Sequence, residues 1–533
     1  MCKNQRGQVL PLGLAMLVLA MLGAFAVFNT GQIATDKTRL ANTADAAAYS
    51  GALWQARALN FQAYTNRAMV ANQVAIAQAV SLRSWATYGV VTSGNLSRVL
   101  GAVPVINALT AGLATGMAII HQVVSPVSEA MINLSSSINR ALSLAQQVMY
   151  LGTFAAIPDV VNAVVTQNDS RFTAISAYSA LGMTSSLARW RAFTQRYDKY
   201  DRTAMNEREN VINNSRDAFT RERNWRLGSL FFPPNFLIKQ ELVKEGQTRL
   251  ARYESPLGPK WEWKAKDTLS LHTRTRKWFG SAHVELPIGW AEAFANSNSS
   301  ILTLEGPACG INPSAPRCRR YTSKNELAEN AADLGIPSPV TPIKTNVSMP
   351  GYSGINAFNS LSEKSREKSD PRLQLKVEVS MPASTSGTTD SLEMKGAFNT
   401  MPTAAVERLS SVSIAEVFYR RPDHHLDNSP DTERANGYNP YWTPRLSDVP
   451  LADRLLAFTL NQGAGRAATT PRSVSSGVNA HLNHKAEKHG FNSKDGRNLA
   501  RQKYSLKALP ERSKPGKYEY FANKPPLADE KEQ

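Results

Sequence analysis

Twenty uncharged and mostly apolar residues run without interruption from Val9 to Phe28 (VLPLGLAMLVLAMLGAFAVF). A helix of that length is about 30 Å long, the hydrocarbon thickness of a bilayer, so the run predicts a membrane-spanning helix. Pro11 falls in its first turn, where the missing N–H costs little. From about Thr35 to Val90 the pattern predicts one long helix or two: Ala is frequent, Pro is absent and Gly is rare. Small and apolar residues recur at Leu40, Ala44, Ala47, Ala48 and Gly51, a stripe that lets a partner helix come close. No Asp or Glu lies between Ala46 and Ser128, and the polar positions there are Asn, Gln, Ser, Thr and a few Arg. Such a helix is expected to pack on other helices, in its own bundle or on another chain. Leu100 to Ser128 carries no charge apart from what His121 can take up. It reads either as a second membrane span or as a buried, Gly-rich helical hairpin. A further helix is expected from about Ser128 to Val165, with a break near Pro158.

Beyond this the period changes. Leu187 to Leu227 mixes Arg, Lys, Glu and Asp with Trp190, Tyr197, Tyr200 and Trp225 at spacings that allow i,i+4 pairs, and predicts a solvated amphipathic helix. Phe231-Phe232-Pro233-Pro234 closes that region. Strand-like alternation follows in KWEWKAKDTLSLHTRT and, most clearly, at Leu373, Leu375, Val377 and Val379 between polar neighbours. Ser411 to Tyr419 (SVSIAEVFY) predicts another strand, and Asn439-Pro440-Tyr441-Trp442 a packed turn. The expected fold class is α+β, built from a transmembrane helix (9–28), a helical stalk or bundle (29–230) and a mixed, mainly β outer domain (235–460). The outer domain is expected to carry long polar insertions, including about Asn312 to Glu367.

Charge sets the orientation. Lys3 and Arg6 precede the apolar run and the next charge after it is Asp36. The positive-inside rule then leaves residues 1–8 in the cytoplasm and the body outside. Ala24-Phe25-Ala26 resembles a signal-peptidase site, but Val27 and Phe28 continue the apolar run past it, which favours an uncleaved anchor. Lys plus Arg is 61 against 43 Asp plus Glu, a net charge of +18, which suits nucleic acid, anionic lipid or a wall polymer equally well. Residues 463–533 hold 14 Lys or Arg against 7 Asp or Glu with few apolar residues, and predict a basic disordered tail.

Candidate chemistry is sparse. Cys309 and Cys318 flank a Pro- and Gly-containing loop and are expected to form a disulfide outside the cytoplasm. His424, His425 and Asp427 form the densest metal-ligand string, but adjacent histidines point apart in a strand and the flanking prolines favour a polar loop. No GxSxG, HExxH, GxxxxGK[ST] or helix-opening GxGxxG occurs. The chain is expected to be neither an enzyme nor a cofactor protein.

One stretch carries a family signature. Arg6-Gly7-Gln8, Pro11 and the apolar helix are followed by Asp36, Thr38-Arg39-Leu40, Asn42, the run Ala44-Asp45-Ala46-Ala47-Ala48 and Gly51-Ala52. This segment resembles the amino terminus of TadG-like proteins of the Tad/Flp (tight-adherence) pilus assembly family. The resemblance implies an inner-membrane protein, single-pass with a periplasmic body, acting in a Flp-type pilus or related secretion apparatus through helix packing and protein contacts. It implies roles in packing and orientation for Gly7, Pro11, Arg39, Asp45 and Gly51. Expected partners are pilus or assembly-platform membrane proteins and inner-membrane lipid, with self-association left open and nucleic acid not expected. Two departures bound the carry-over. Leu12 stands five residues after Gly7, where type IV-like prepilins carry Glu, and the DxSxS metal motif of von Willebrand A domains is missing. The alternative reading is an envelope-associated module whose basic body and tail bind nucleic acid or an anionic polymer.

Overall fold

A computed structural model describes residues 9–100, 104–174, 176–228, 238–253, 258–276, 280–296, 324–368, 370–388, 408–420 and 434–461. The Ala-rich stretch and the apolar run before it form one helix, α1 (Val9–Leu100), 92 residues long. Helix α2 (Pro104–Asn168) follows, and then α3 (Ala177–Phe193), β1 (Thr194–Tyr197), α4 (Arg202–Asn214), α5 (Ala218–Arg221) and β2 (Trp225–Gly228). Three long strands come next, β3 (Ile238–Tyr253), β4 (Lys260–Arg276) and β5 (Ser281–Asn296). The chain continues through α6 (Glu326–Asp333), β6 (Asn346–Ser348), β7 (Phe358–Leu361), α7 (Glu363–Arg366), β8 (Arg372–Pro382), β9 (Arg408–Tyr419), β10 (Trp442–Ser447) and α8 (Leu451–Asn461). The class is α+β.

The chain divides into two compact units. One holds Met1–Ile33, Pro382–Leu409 and Val449–Gln533, and the other holds Ala34–Met381 and Ser410–Asp448. Among its described residues the first unit contains the apolar start of α1 and the helix α8. The apolar side chains of that start face outward, with Leu12, Leu14, Leu17 and Leu19 all more than half exposed.

The second unit is built around α1 from Ala34 onward. Its main sheet has the order β2-β3-β4-β5-β6; β2 to β5 pair antiparallel and β6 joins β5 in parallel. Met69, Ile76, Ala77 and Val80 of α1 share one core with Trp261, Trp263 and Ala265 of β4, Ala293 and Ala295 of β5 and Met205 and Ile212 of α4. A smaller sheet has the order β10-β9-β8, and β1 pairs with β7. Leu373, Leu375, Val377 and Val379 of β8 are buried as its alternation predicts, but the other face is not left to solvent: Glu378 and Ser380 are buried as well.

Strand β4 is buried on both faces because its charges are paired. Asp267 is fully buried and accepts from Arg223 Nε (2.9 Å), Lys244 Nζ (2.7 Å) and Ser84 Oγ (2.7 Å). Burial by itself would raise the Asp267 carboxyl, but Arg223 and Lys244 outweigh it and lower it to about 2. On the opposite face of β4, Lys264 meets Glu292 (2.8 Å) and Lys266 meets Glu329 (3.0 Å) and Asp333 (2.6 Å) of α6.

Four stretches differ from the sequence reading. Leu187 to Leu227 is not one helix: it comprises the end of α3 and then β1, α4, α5 and β2. Thr194–Tyr197 pairs with Phe358–Leu361, far along the chain, so the local pattern cannot show it. Leu100 to Ser128 is no buried hairpin: from Pro104 it is the first part of the continuous α2, and most of its described side chains are exposed or half-buried. Pro158 does not break α2, which runs on to Asn168. Part of the stretch expected as polar insertion, Asn312 to Glu367, is ordered into α6, β6, β7 and α7.

Candidate assembly surface

The small residues of the signature segment set how closely α1 can be approached. Leu40, Ala44, Ala47, Ala48 and Ala52 are completely buried. Gly51 sits between α2 and β8: an added Cβ would collide with Leu375 and would lie 3.3 Å from Val161 and 3.7 Å from Ile157. A side chain there would push β8 and α2 away from α1. The close approach foreseen for this face is made to elements of the same chain.

Polar residues of α1 reach past the Ala face to fix the strands and loops around it. Asn60 donates to the Trp442 carbonyl and accepts from the Trp442 N–H, both at 3.0 Å, as a neighbouring strand would. Asn66 donates to the carbonyls of Asn359 and Gly437, both at 2.8 Å. Gln73 donates to Gly354 O (3.0 Å) and accepts from Trp263 Nε1 (3.1 Å) and the Tyr352 hydroxyl (3.0 Å). Asn95 donates to Ile288 O (2.8 Å) and accepts from Ser338 Oγ (2.7 Å). An unpaired buried amide is costly, so these contacts fix the register of α1 against its neighbours. The amide-rich composition was visible in the sequence, but its targets are backbone and side-chain groups about 190 to 380 residues away in the chain.

Two acids of the signature are held differently. Asp36 is buried and accepts from Arg171 Nη2 at 3.2 Å, while Arg171 also grips Asp169 at 2.7 Å. Asp45 is partly buried; burial pushes its carboxyl up from the ordinary value, and a hydrogen bond with Ser413 offsets part of the rise. The opposite face of the segment carries Arg39, Asn42, Ala46, Tyr49 and Arg57, all exposed, with Tyr49 presenting 41% of its surface. Arg39, Asn42, Ala46 and Tyr49 recur at three- and four-residue steps and form one strip, with Arg57 two turns further along the same face. Pro11 is exposed in the first turn of α1. Gly7, Cys309, Cys318, His424, His425 and Asp427 lie outside the described residues. Among the described residues, no group of three or more His, Cys, Asp or Glu is placed to hold a metal ion.

Residues 7–57 match the family model for Flp pilus-assembly TadE/G-like proteins, roughly a tenth of the chain. The matched segment contains the whole signature from Gly7 to Gly51, and it supports a role in pilus assembly. No curated protein and no solved structure matches the chain.

Proposed function

We propose that this chain is a membrane-anchored structural protein of a Flp-type pilus or related secretion apparatus, acting by helix packing and protein contacts rather than by catalysis. One observation carries the reading: the family match covers a single helix in which an outward-facing apolar run leads into a face buried by small residues. The apolar run is long enough to cross a bilayer. In this reading residues 9–28 anchor the chain once in the inner membrane, residues 1–8 are cytoplasmic and the body is periplasmic. The buried Ala and Gly51 face shapes the body, and the exposed strip through Arg39, Asn42 and Tyr49 meets pilus or assembly-platform proteins. No cofactor takes part.

The test separates folding from assembly. A chain carrying Arg39→Glu and Tyr49→Asp changes only exposed side chains. It is expected to remain in the membrane fraction with native far-UV circular dichroism while surface filaments are lost. Filaments at the parental level in cells holding normal amounts of this variant would reject the strip as an assembly surface.

A further inference from the structure

Helix α2 is turned the wrong way round for a surface helix. Between Ser128 and Gln146 the face it buries is mostly polar: Ser128, Ser136, Asn139 and Gln146 are at most 1% exposed, with Ile132 buried beside them, and the buried face turns apolar only further on, at Ile157, Val161 and Val165. Asn139 accepts from Asn72 of α1 (3.0 Å), and Gln146 donates to Thr65 Oγ1 (2.7 Å) and Asn66 Oδ1 (3.0 Å). The face it leaves outside is apolar. Leu109, Leu113, Ile120, Val123, Val127 and Leu134 are 39–72% exposed, and Leu144, Val148 and Leu151 are 57–63% exposed. A surface helix ordinarily does the reverse. A continuous exposed apolar stripe marks an interaction site.

The spacing of the stripe says what kind of partner fits. From Leu109 to Leu151 its positions advance by alternating steps of four and three, with Gly116, Ala130, Ser137 and Ala141 filling the steps between the large residues. All four are exposed. This is the 3.5-residue repeat of a coiled-coil seam, kept over six heptads. A bilayer does not fit it. At 1.5 Å per residue the stripe is about 63 Å long, roughly twice the hydrocarbon thickness. Glu129 and Arg140 also lie within its length.

We propose that this stripe is the interface between two copies of the chain, paired in parallel and in register. Each position then meets its own copy. Large residues meet large ones, and Gly116, Ala130 and Ala141 meet themselves and let the helices come close. The Ser137 hydroxyls face each other and bond to one another instead of being buried against a methyl group. The seam carries no charge, so self-pairing sets no like charges together. Arg140 flanks the seam and in this register faces Ala145 of the other copy. Covering the half-exposed side chains on both copies removes on the order of 1,000–1,500 Å² from water, the size of a specific interface. The inference stands apart from the pilus reading: it concerns α2, outside the family-matched segment.

The test uses the full chain in mild detergent. Sedimentation equilibrium is expected to show a dimer, and Leu134→Glu is expected to weaken it roughly 100-fold or more, since a carboxylate would be buried in an apolar seam. Leu134 is 63% exposed, so circular dichroism of that variant should stay native. Ser137→Cys should cross-link to its own copy under mild oxidation, giving a dimer band that the parent, with its native cysteines, lacks. A monomeric parent overturns the proposal. A dimer indifferent to Leu134→Glu overturns it as well, because association would then run through another surface. Cross-linking between Val123→Cys and Val148→Cys chains, without any through Ser137→Cys, overturns the parallel register in favour of an antiparallel one.

Discussion

Helices α1 and α2 look alike in composition. Both are long, poor in acids and rich in small, amide and hydroxyl residues. Their chemistry is nevertheless arranged in opposite senses. From Leu40 onward one face of α1 is enclosed by the rest of the chain: Ala44, Ala47, Ala48 and Ala52 are buried and its amides are used on the backbone of β10, on Trp263 and on loops, while the strip through Asn42 and Tyr49 stays outside. The specificity of that enclosed face is intramolecular. In α2 the hydroxyl and amide face is used inward, and the apolar seam is left for another molecule. The comparison teaches that an uncharged helix is neither a stalk nor a membrane span by composition alone. What decides is which face the rest of the chain satisfies.

The contrast can be broken at its strongest point, the charges beneath α1. Asp267→Leu leaves Arg223 and Lys244 buried without their carboxylate and should cost about 3–5 kcal/mol, read as a lower urea midpoint. Gln73→Leu strands the Trp263 N–H, the Tyr352 hydroxyl and the Gly354 carbonyl, for a loss of about 2–4 kcal/mol. Gly51→Val should cost about 1–3 kcal/mol by overpacking α1 against Leu375 and Val161. A thermal melt that leaves Gly51→Val as stable as the parent would show that β8 can give way. At the small end, Leu134→Ala on the α2 seam should change monomer stability by less than about 0.5 kcal/mol, because its side chain is exposed in one copy. The same change made inside α1, at Ile76, should be felt at once, since that side chain is completely buried.

The pH dependence sharpens the account of the buried charges on the sheet. Burial raises the Glu292 carboxyl to about 7 despite Lys264 and Lys266 beside it. A raised carboxyl means that the folded state holds its proton more tightly than the unfolded chain. This group therefore adds stability as pH falls from about 7 towards its ordinary value near 4.5, by at most about 1.4 kcal/mol per pH unit. Asp267 works in the opposite sense. Its lowered value gives stability that is present above its ordinary value of 3.8 and is lost as pH falls towards 2. Urea midpoints should therefore rise from pH 7 to about 5 and collapse below about 3.5. In Glu292→Gln the rise should vanish and the acid collapse should remain.

Much of the fold was legible because local pattern determined it. The apolar run, the Ala block and the alternation of Leu373, Leu375, Val377 and Val379 each allow few structures, and each takes the helical or extended conformation its pattern predicts. The signature from Gly7 to Gly51 was legible as a family resemblance, and the family match covers the same residues. What was not legible depends on distant partners. The strand Thr194–Tyr197 exists because Phe358–Leu361 lies beside it. Lys264 and Lys266, alternating with Trp261, Trp263 and Ala265, are buried because Glu292 of β5 and Glu329 of α6 bring counter-charges to them, and Asp267, on the face of the tryptophans, is buried with Arg223 and with Lys244 of β3. The α2 seam could have been found from its 3.5-residue repeat, but its exposure became evident only once the polar face was seen to be satisfied from within.

The central claim, a single anchor with the body outside the cytoplasm, is tested most directly by adding protease to intact spheroplasts and probing for the chain beyond Pro233. The account predicts digestion without lysis, leaving a membrane-held fragment that contains the start of α1. Protection of the body until the spheroplasts are lysed would contradict it and would leave the body on the cytoplasmic side.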